Sequence, residues 1–143
     1  MQNYLEFLQA YGPRFLDGAV VTLQQTALGT LLAIAVAVTT GFMKMAPIAP
    51  VRWVGVTYIE VFRGTSLLVQ LYWIFFVLPL FGITLEKFTA GFLALGLNLG
   101  AYGAELVRGG VQSVPRGQYE AATAIGMGPV LRMRRIIFPQ ALR

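Results

Sequence analysis

"GAVVTLQQTALGTLLAIAVAVTTGFM", residues 18–43, contains no charged side chain. A helix that crosses a hydrocarbon layer of ~30 Å needs roughly 20 mostly apolar residues, and this run exceeds that length. Two further uncharged runs follow, at 64–85 and 88–104. Of the 143 residues 57% are hydrophobic and 12% charged, too apolar a balance for an ordinary soluble domain. The fold class that follows is an all-α integral membrane protein. The stretch before the first run, "YLEFLQAYGPRFLDG", is mixed in charge and the run outlasts the usual core of a signal peptide, so it is expected to stay in the mature protein.

Cysteine and histidine are both absent, which removes disulfides, thiolate chemistry and imidazole catalysis. No enzyme, no metal site and no bound cofactor are expected. A formal charge of +5 could suit nucleic acid, but the basic residues are placed otherwise. Lys44, Arg52 and Arg63 lie between the first two runs, and Arg108, Arg116, Arg132, Arg134, Arg135 and Arg143 follow the third. Only Arg14 and Lys87 flank the opposite ends. Positive residues gather on the cytoplasmic side, which predicts an outside N-terminus and no nucleic-acid partner.

Residues 1–18 read as an outside interfacial segment, with Tyr4, Phe7, Tyr11 and Phe15 at headgroup level and Pro13 interrupting. The first span is expected over about 19–43, its Thr22, Gln24, Gln25 and Thr26 facing other helices or water. In 51–63 a helix would set Glu60 and Arg63 one turn apart, a spacing that permits an ion pair. The second span is expected over about 65–82, its Tyr72, Trp73, Phe75 and Phe76 packed. A tight connection at 83–88 leads to the third, about 89–107. There Gly96, Gly100 and Ala104 recur at i,i+4, a stripe that lets another helix backbone come close. Asn98 and Glu105 need partners near hydrocarbon, and Arg108 is one turn from Glu105.

Residues 108–143 are too broken and too basic to span, and read as a loop on the inside surface. Pro115 can open a helix over 118–125, Gly126 and Gly128 can close it, and Pro129 can start a second over about 129–138. That second helix carries three arginines among apolar residues and suits a membrane surface, with Pro139 turning the chain. The first is an alanine-rich knob anchored by Glu120. It suits a partner's groove, or is a surface loop with none.

"EAATAIGMGPVLRMRRIIFP" (120–139) resembles the cytoplasmic EAA loop of binding-protein-dependent ABC importer permeases, through Glu120-Ala121-Ala122, Gly126, Ile136 and Pro139. Phe138 stands where leucine is usual. "YIEVFRGTSLLVQL" (58–71) and "LNLGAYGAELVRGGVQSVPRGQYEAA" (97–122) are similar to the polar amino-acid branch, with Ser66 where proline is common. The resemblance runs from about residue 19 to the end. It implies the type I importer permease fold for 19–143 in a bacterial cytoplasmic (inner) membrane, multi-pass. Five spans are expected, of which three are present, so the chain is expected to be truncated at its C-terminus.

The resemblance also implies that Glu120, Ala121, Ala122 and Gly126 couple to a separate cytoplasmic ATPase subunit. No glycine-rich phosphate loop ending in Lys-Ser or Lys-Thr occurs in this sequence, so ATP would be bound by that partner. An extracytoplasmic solute-binding protein and a second copy or a sibling permease complete the implied assembly in the bilayer. The implied solute is a polar amino acid or similar zwitterion, with ectoine-type compatible solutes the narrower expectation, and Asn98, Tyr102 and Glu105 are the pathway candidates. Two other readings stay open: a secondary transporter or channel using Glu105, and a small membrane scaffold.

Overall fold

The computed structural model describes residues 2–141, with side chains from residue 11 onward; Tyr4, Phe7 and Arg143 lie outside the side chains described. The described residues form helices and connections, with no strand. Helix α1 spans Gln2–Lys44, α2 Ala49–Gly64, α3 Leu67–Phe81, α4 Lys87–Ser113 and α5 Arg116–Ala124, and α6 covers 129–141.

Helix α1 runs through Pro13, where the sequence predicts an interruption. The missing proline N–H costs one intrahelical bond, close to the helix start and not at its centre. Within the apolar stretch, Thr22 and Thr26 donate to the carbonyls of Gly18 and Thr22 at 2.9 and 2.8 Å, so their hydroxyls are satisfied inside the helix. Gln25 reaches across to the Phe88 carbonyl at 3.4 Å.

Among the described residues two helices are long and apolar enough to cross a membrane, Tyr11–Lys44 within α1 and Lys87–Ser113. The second span expected over about 65–82 falls on α3. Helix α3 alone is about 22 Å long at ~1.5 Å per residue, short of a ~30 Å layer. It passes the length and composition test only jointly with α2, from which it is bent by 104°. Tyr72, Trp73 and Phe76 are exposed, not packed as expected; Tyr72 stacks on Phe76 and Phe75 lies edge-on to Phe76.

A bend leaves helix-end carbonyls without partners, which is costly away from water. Two amides repair this one. Gln70 Nε2 donates to the carbonyls of Phe62 (2.8 Å) and Thr65 (3.2 Å) and to Thr65 Oγ1 (2.8 Å). Asn98, from α4, donates to the Phe62 carbonyl and to Gln70 Oε1. Ser66, where proline is common in the resembling branch, caps α3 by accepting from the Leu68 N–H.

Two prolines sit in helices after a widened turn. The Leu78 N–H bonds to the Trp73 carbonyl just before Pro79, and the Phe138 N–H to the Met133 carbonyl just before Pro139. These five-residue turns re-route carbonyls that a proline ring would meet in a regular helix. Pro139 therefore does not turn the chain, and α6 continues to Ala141.

The main packing is α1 on α4, and the two run parallel: Gln25 lies beside Phe88 at one end and Lys44 beside Glu105 at the other. The small-residue stripe makes this approach possible. A methyl group on Gly96 would stand 2.6 Å from Leu32 Cδ2, on Gly100 2.7 Å from Val36 Cγ1, and on Gly103 2.7 Å from Ala37 Cβ. Ala90, Ala94, Ala101 and Ala104 are buried on the same helix. Gly109, by contrast, faces open space. Both Gly100→Ala and Gly109→Ala gain helix propensity, up to ~1 kcal/mol, so their difference isolates the clash. Thermal unfolding in detergent is expected to place Gly100→Ala about 1–3 kcal/mol below Gly109→Ala; equal effects would contradict the packing.

Candidate functional site

Helix α4 carries Asn98, Tyr102 and Glu105 within two turns, but their surroundings differ. Asn98 is buried and committed to the α2–α3 elbow. Tyr102 is half exposed, with the Arg63 guanidinium 5.4 Å from its ring centre, a cation–π arrangement.

Glu105 is the hub of a charge cluster drawn from three helices. Its carboxylate meets Lys44 Nζ of α1 at 2.5 Å, Arg108 Nε at 2.9 Å and Arg63 Nη1 of α2 at 4.0 Å. Arg108, one turn from Glu105 in the sequence, pairs with it. Glu60 and Arg63, expected to pair along α2, turn to other helices instead: Glu60 lies 3.7 Å from Lys44, and Arg63 reaches Glu105. The physical reason is depth. Glu105 is the least exposed charge of the set, so its desolvation draws in the cations that surround it, while exposed pairs such as Glu60–Lys44 gain little. As partners of Glu105, Lys44 and Arg63 were not visible in the sequence; that they end the first run and precede the second was the signal placing them at one level.

At the same end lies the loop expected to couple. Helix α5 starts after Pro115, whose carbonyl accepts from the Gln118 N–H. It stops through two crossed bonds, Met127 N–H to the Ala122 carbonyl and Gly126 N–H to the Thr123 carbonyl, both 3.0 Å. This ending requires a left-handed residue, and Gly126 supplies it with φ of 75°.

Four residues were expected to meet a partner. Glu120 and Ala121 are exposed, and among the described residues no hydrogen bond or ion pair holds Glu120. Ala122, by contrast, is 1% exposed. The helical period turns it inward, so it packs the loop and presents no surface to a docking protein. Gly126 is exposed and ends the helix. Thr123 and Ala124, together with Tyr119, Glu120 and Arg132, bound a shallow open depression that the sequence reading did not assemble. Arg132 forms its wall, donating to Thr123 Oγ1 at 2.7 Å with its guanidinium over the Tyr119 ring.

The loop is fastened to the long helices. Val111 and Val114 from the end of α4 and its connection form a core with Ile137 of α6, flanked by Met45, Tyr119, Met133, Ile136 and Ala141. The Tyr119 hydroxyl donates to the Val111 carbonyl at 3.0 Å. Helix α6 also abuts α4 at Gly110, where an added methyl would stand 2.7 Å from the Ala141 carbonyl.

Asn98 is thus a structural amide whose loss unbalances Gln70. Asn98→Ala is expected to cost about 1–3 kcal/mol in detergent unfolding. The Asn98→Ala/Gln70→Ala pair should fall short of additivity by about 0.5–3 kcal/mol in a double-mutant cycle; simple additivity would show that the two amides act separately.

Residues 29–143 match the family model described as "Binding-protein-dependent transport system inner membrane component". The L-cystine transport system permease protein TcyB of Bacillus subtilis (strain 168) is 39% identical over 135 residues, covering 94% of this chain and 58% of the relative. A probable amino-acid ABC transporter permease protein, y4tF, of Sinorhizobium fredii is 45% identical over 131 residues, covering 87% and 55%. A solved chain titled "Crystal structure of an amino acid ABC transporter with histidines" superposes with a TM-score of 0.87 at 43% identity, covering 96% of this chain and 64% of that one. The chain therefore spans between half and two thirds of the length of these proteins.

Proposed function

The chain belongs to the family of binding-protein-dependent transport system inner membrane components, and from that premise we propose that it builds part of the pathway of an ATP-driven amino-acid importer. The observation that carries this reading is the loop: an exposed helical face at Glu120 and Ala121, rigidly fastened through Val111, Val114 and Ile137 to the end of α4. A partner ATPase seated on α5 would push on α4, and through the close α1–α4 contact on both long helices. Nucleotide-driven closure of two such ATPases would then shift the helices between outward- and inward-facing arrangements.

The loop and the basic residues share one end, which supports an inside loop and an outside N-terminus. A solute-binding protein would deliver the solute from outside, and a second copy or a sibling permease would complete the pathway. The names of the relatives concern cystine and amino acids, which supports a zwitterionic solute; ectoine-type solutes are the narrower proposal, checked by competition in uptake. Of the pathway candidates, half-exposed Tyr102 is the one free to face a solute, while Asn98 and Glu105 set helix positions. The engagement of Glu105 by three cations weighs against a proton-carrying role in a secondary transporter.

Glu120→Arg is expected to abolish co-purification with the ATPase while membrane insertion persists. Unchanged co-purification, or solute uptake by the assembled transporter without nucleotide, would overturn this function.

A further inference from the structure

Between the last turns of α1 and the flank of α6 lies a groove of about 480 Å³ that no element among the described residues fills, walled by Val38, Phe42, Val130, Met133 and Phe138, with Arg134 at its rim. Its depth is fixed by α1. Val38 and Phe42 lie only about 9 and 3 Å along the helix from the terminal Lys44, at ~1.5 Å per residue, which sets the groove at the edge of the hydrocarbon layer that α1 is long enough to cross. An apolar groove at that level is open to acyl chains and closed to a water-soluble ligand.

The charge at its rim is unbalanced. Helix α6 carries Arg132, Arg134 and Arg135 and no acidic residue. Arg132 is spent on Thr123 and Tyr119. Arg134 and Arg135 are exposed, and neither makes a hydrogen bond or ion pair among the described residues. A guanidinium offers forked donors that match phosphate oxygens, and basic pockets beside membrane helices at the cytoplasmic side suit anionic headgroups.

We propose that this groove is a binding site for an anionic phospholipid, one acyl chain lying against Val38, Phe42 and Phe138 and the phosphate held by Arg134 with Arg135 nearby. The site requires that α1 cross the bilayer but not that α5 dock an ATPase, so it stands or falls apart from the proposed function. Because α6 packs on the core that also holds α5, a lipid seated there would brace the loop from its membrane side.

The test is native mass spectrometry of the full chain in detergent, titrated with phosphatidylglycerol or phosphatidylcholine of equal chain length. Phosphatidylglycerol is expected to bind more tightly, and Arg134→Gln to weaken it about fivefold, the effect of one basic residue near an anionic surface. Arg134→Lys should keep most of the preference, and unchanged far-ultraviolet circular dichroism would confirm that both variants fold. Four results would overturn the site: equal binding of the two lipids, no loss in Arg134→Gln, competition by inorganic phosphate as strong as by lipid, or a photocrosslinker at Val130 capturing a second copy of the chain in place of lipid.

Discussion

Along Gly96, Gly100 and Gly103 no side chain of α4 separates its backbone from α1, and the placement of every other element follows from the approach this allows. Between lipid-soluble helices there is little hydrophobic drive, because lipid tails are as apolar as leucine. Close van der Waals contact has to supply the association, and small residues permit it. With α1 and α4 fixed in parallel, Lys44 and Glu105 arrive at the same level. Helix α2 can then join them there through Arg63 and Glu60, and the end of α4 becomes a platform for α5 and α6.

Several polar groups on the candidate spans find partners through the helix arrangement. Threonine hydroxyls return to their own helix, Gln25 ties the start of α4, and Gln70 with Asn98 fills the elbow's open carbonyls. Glu105 serves the same end for three helices at once. Asn98 and Glu105, which first suggest a solute path, are engaged in contacts between helices, and under the proposed function the loop is the surface that meets an ATPase. Its core of Val111, Val114 and Ile137 links that surface to α4 without a flexible joint.

The features legible in the sequence are those set by local pattern. Uncharged length marks α1 and α4, the i,i+4 spacing of Gly96, Gly100 and Ala104 marks their contact, and Pro115 and Gly126 bracket α5. What the sequence hides depends on contacts between distant segments. Composition over 65–82 reads as one span, but it does not show the elbow at Ser66, whose open carbonyls are met by Gln70 and by Asn98 from α4. The i,i+3 spacing of Glu60 and Arg63 permits a pair that the nearness of Lys44 and Glu105 redirects. Ala122 looks the same as Ala121 in a motif; only the folded loop shows which of the two is inside. The turns before Pro79 and Pro139 are likewise invisible to a rule that reads proline as a break.

The central claim is that α5 and the end of α4 move as one body. The sequence contains no cysteine, so Leu106→Cys with Gly117→Cys places one pair of spin-label sites on exposed positions of the two helices, in an assembly whose other subunits carry no label. Electron–electron double resonance on the assembled transporter should return a single narrow distance, constant within about 2 Å between ATP-free and ATP-bound states, the scale of a packed-helix adjustment. A larger shift, or two resolved distances, would mean that the loop swings independently of α4 and would contradict the coupling path.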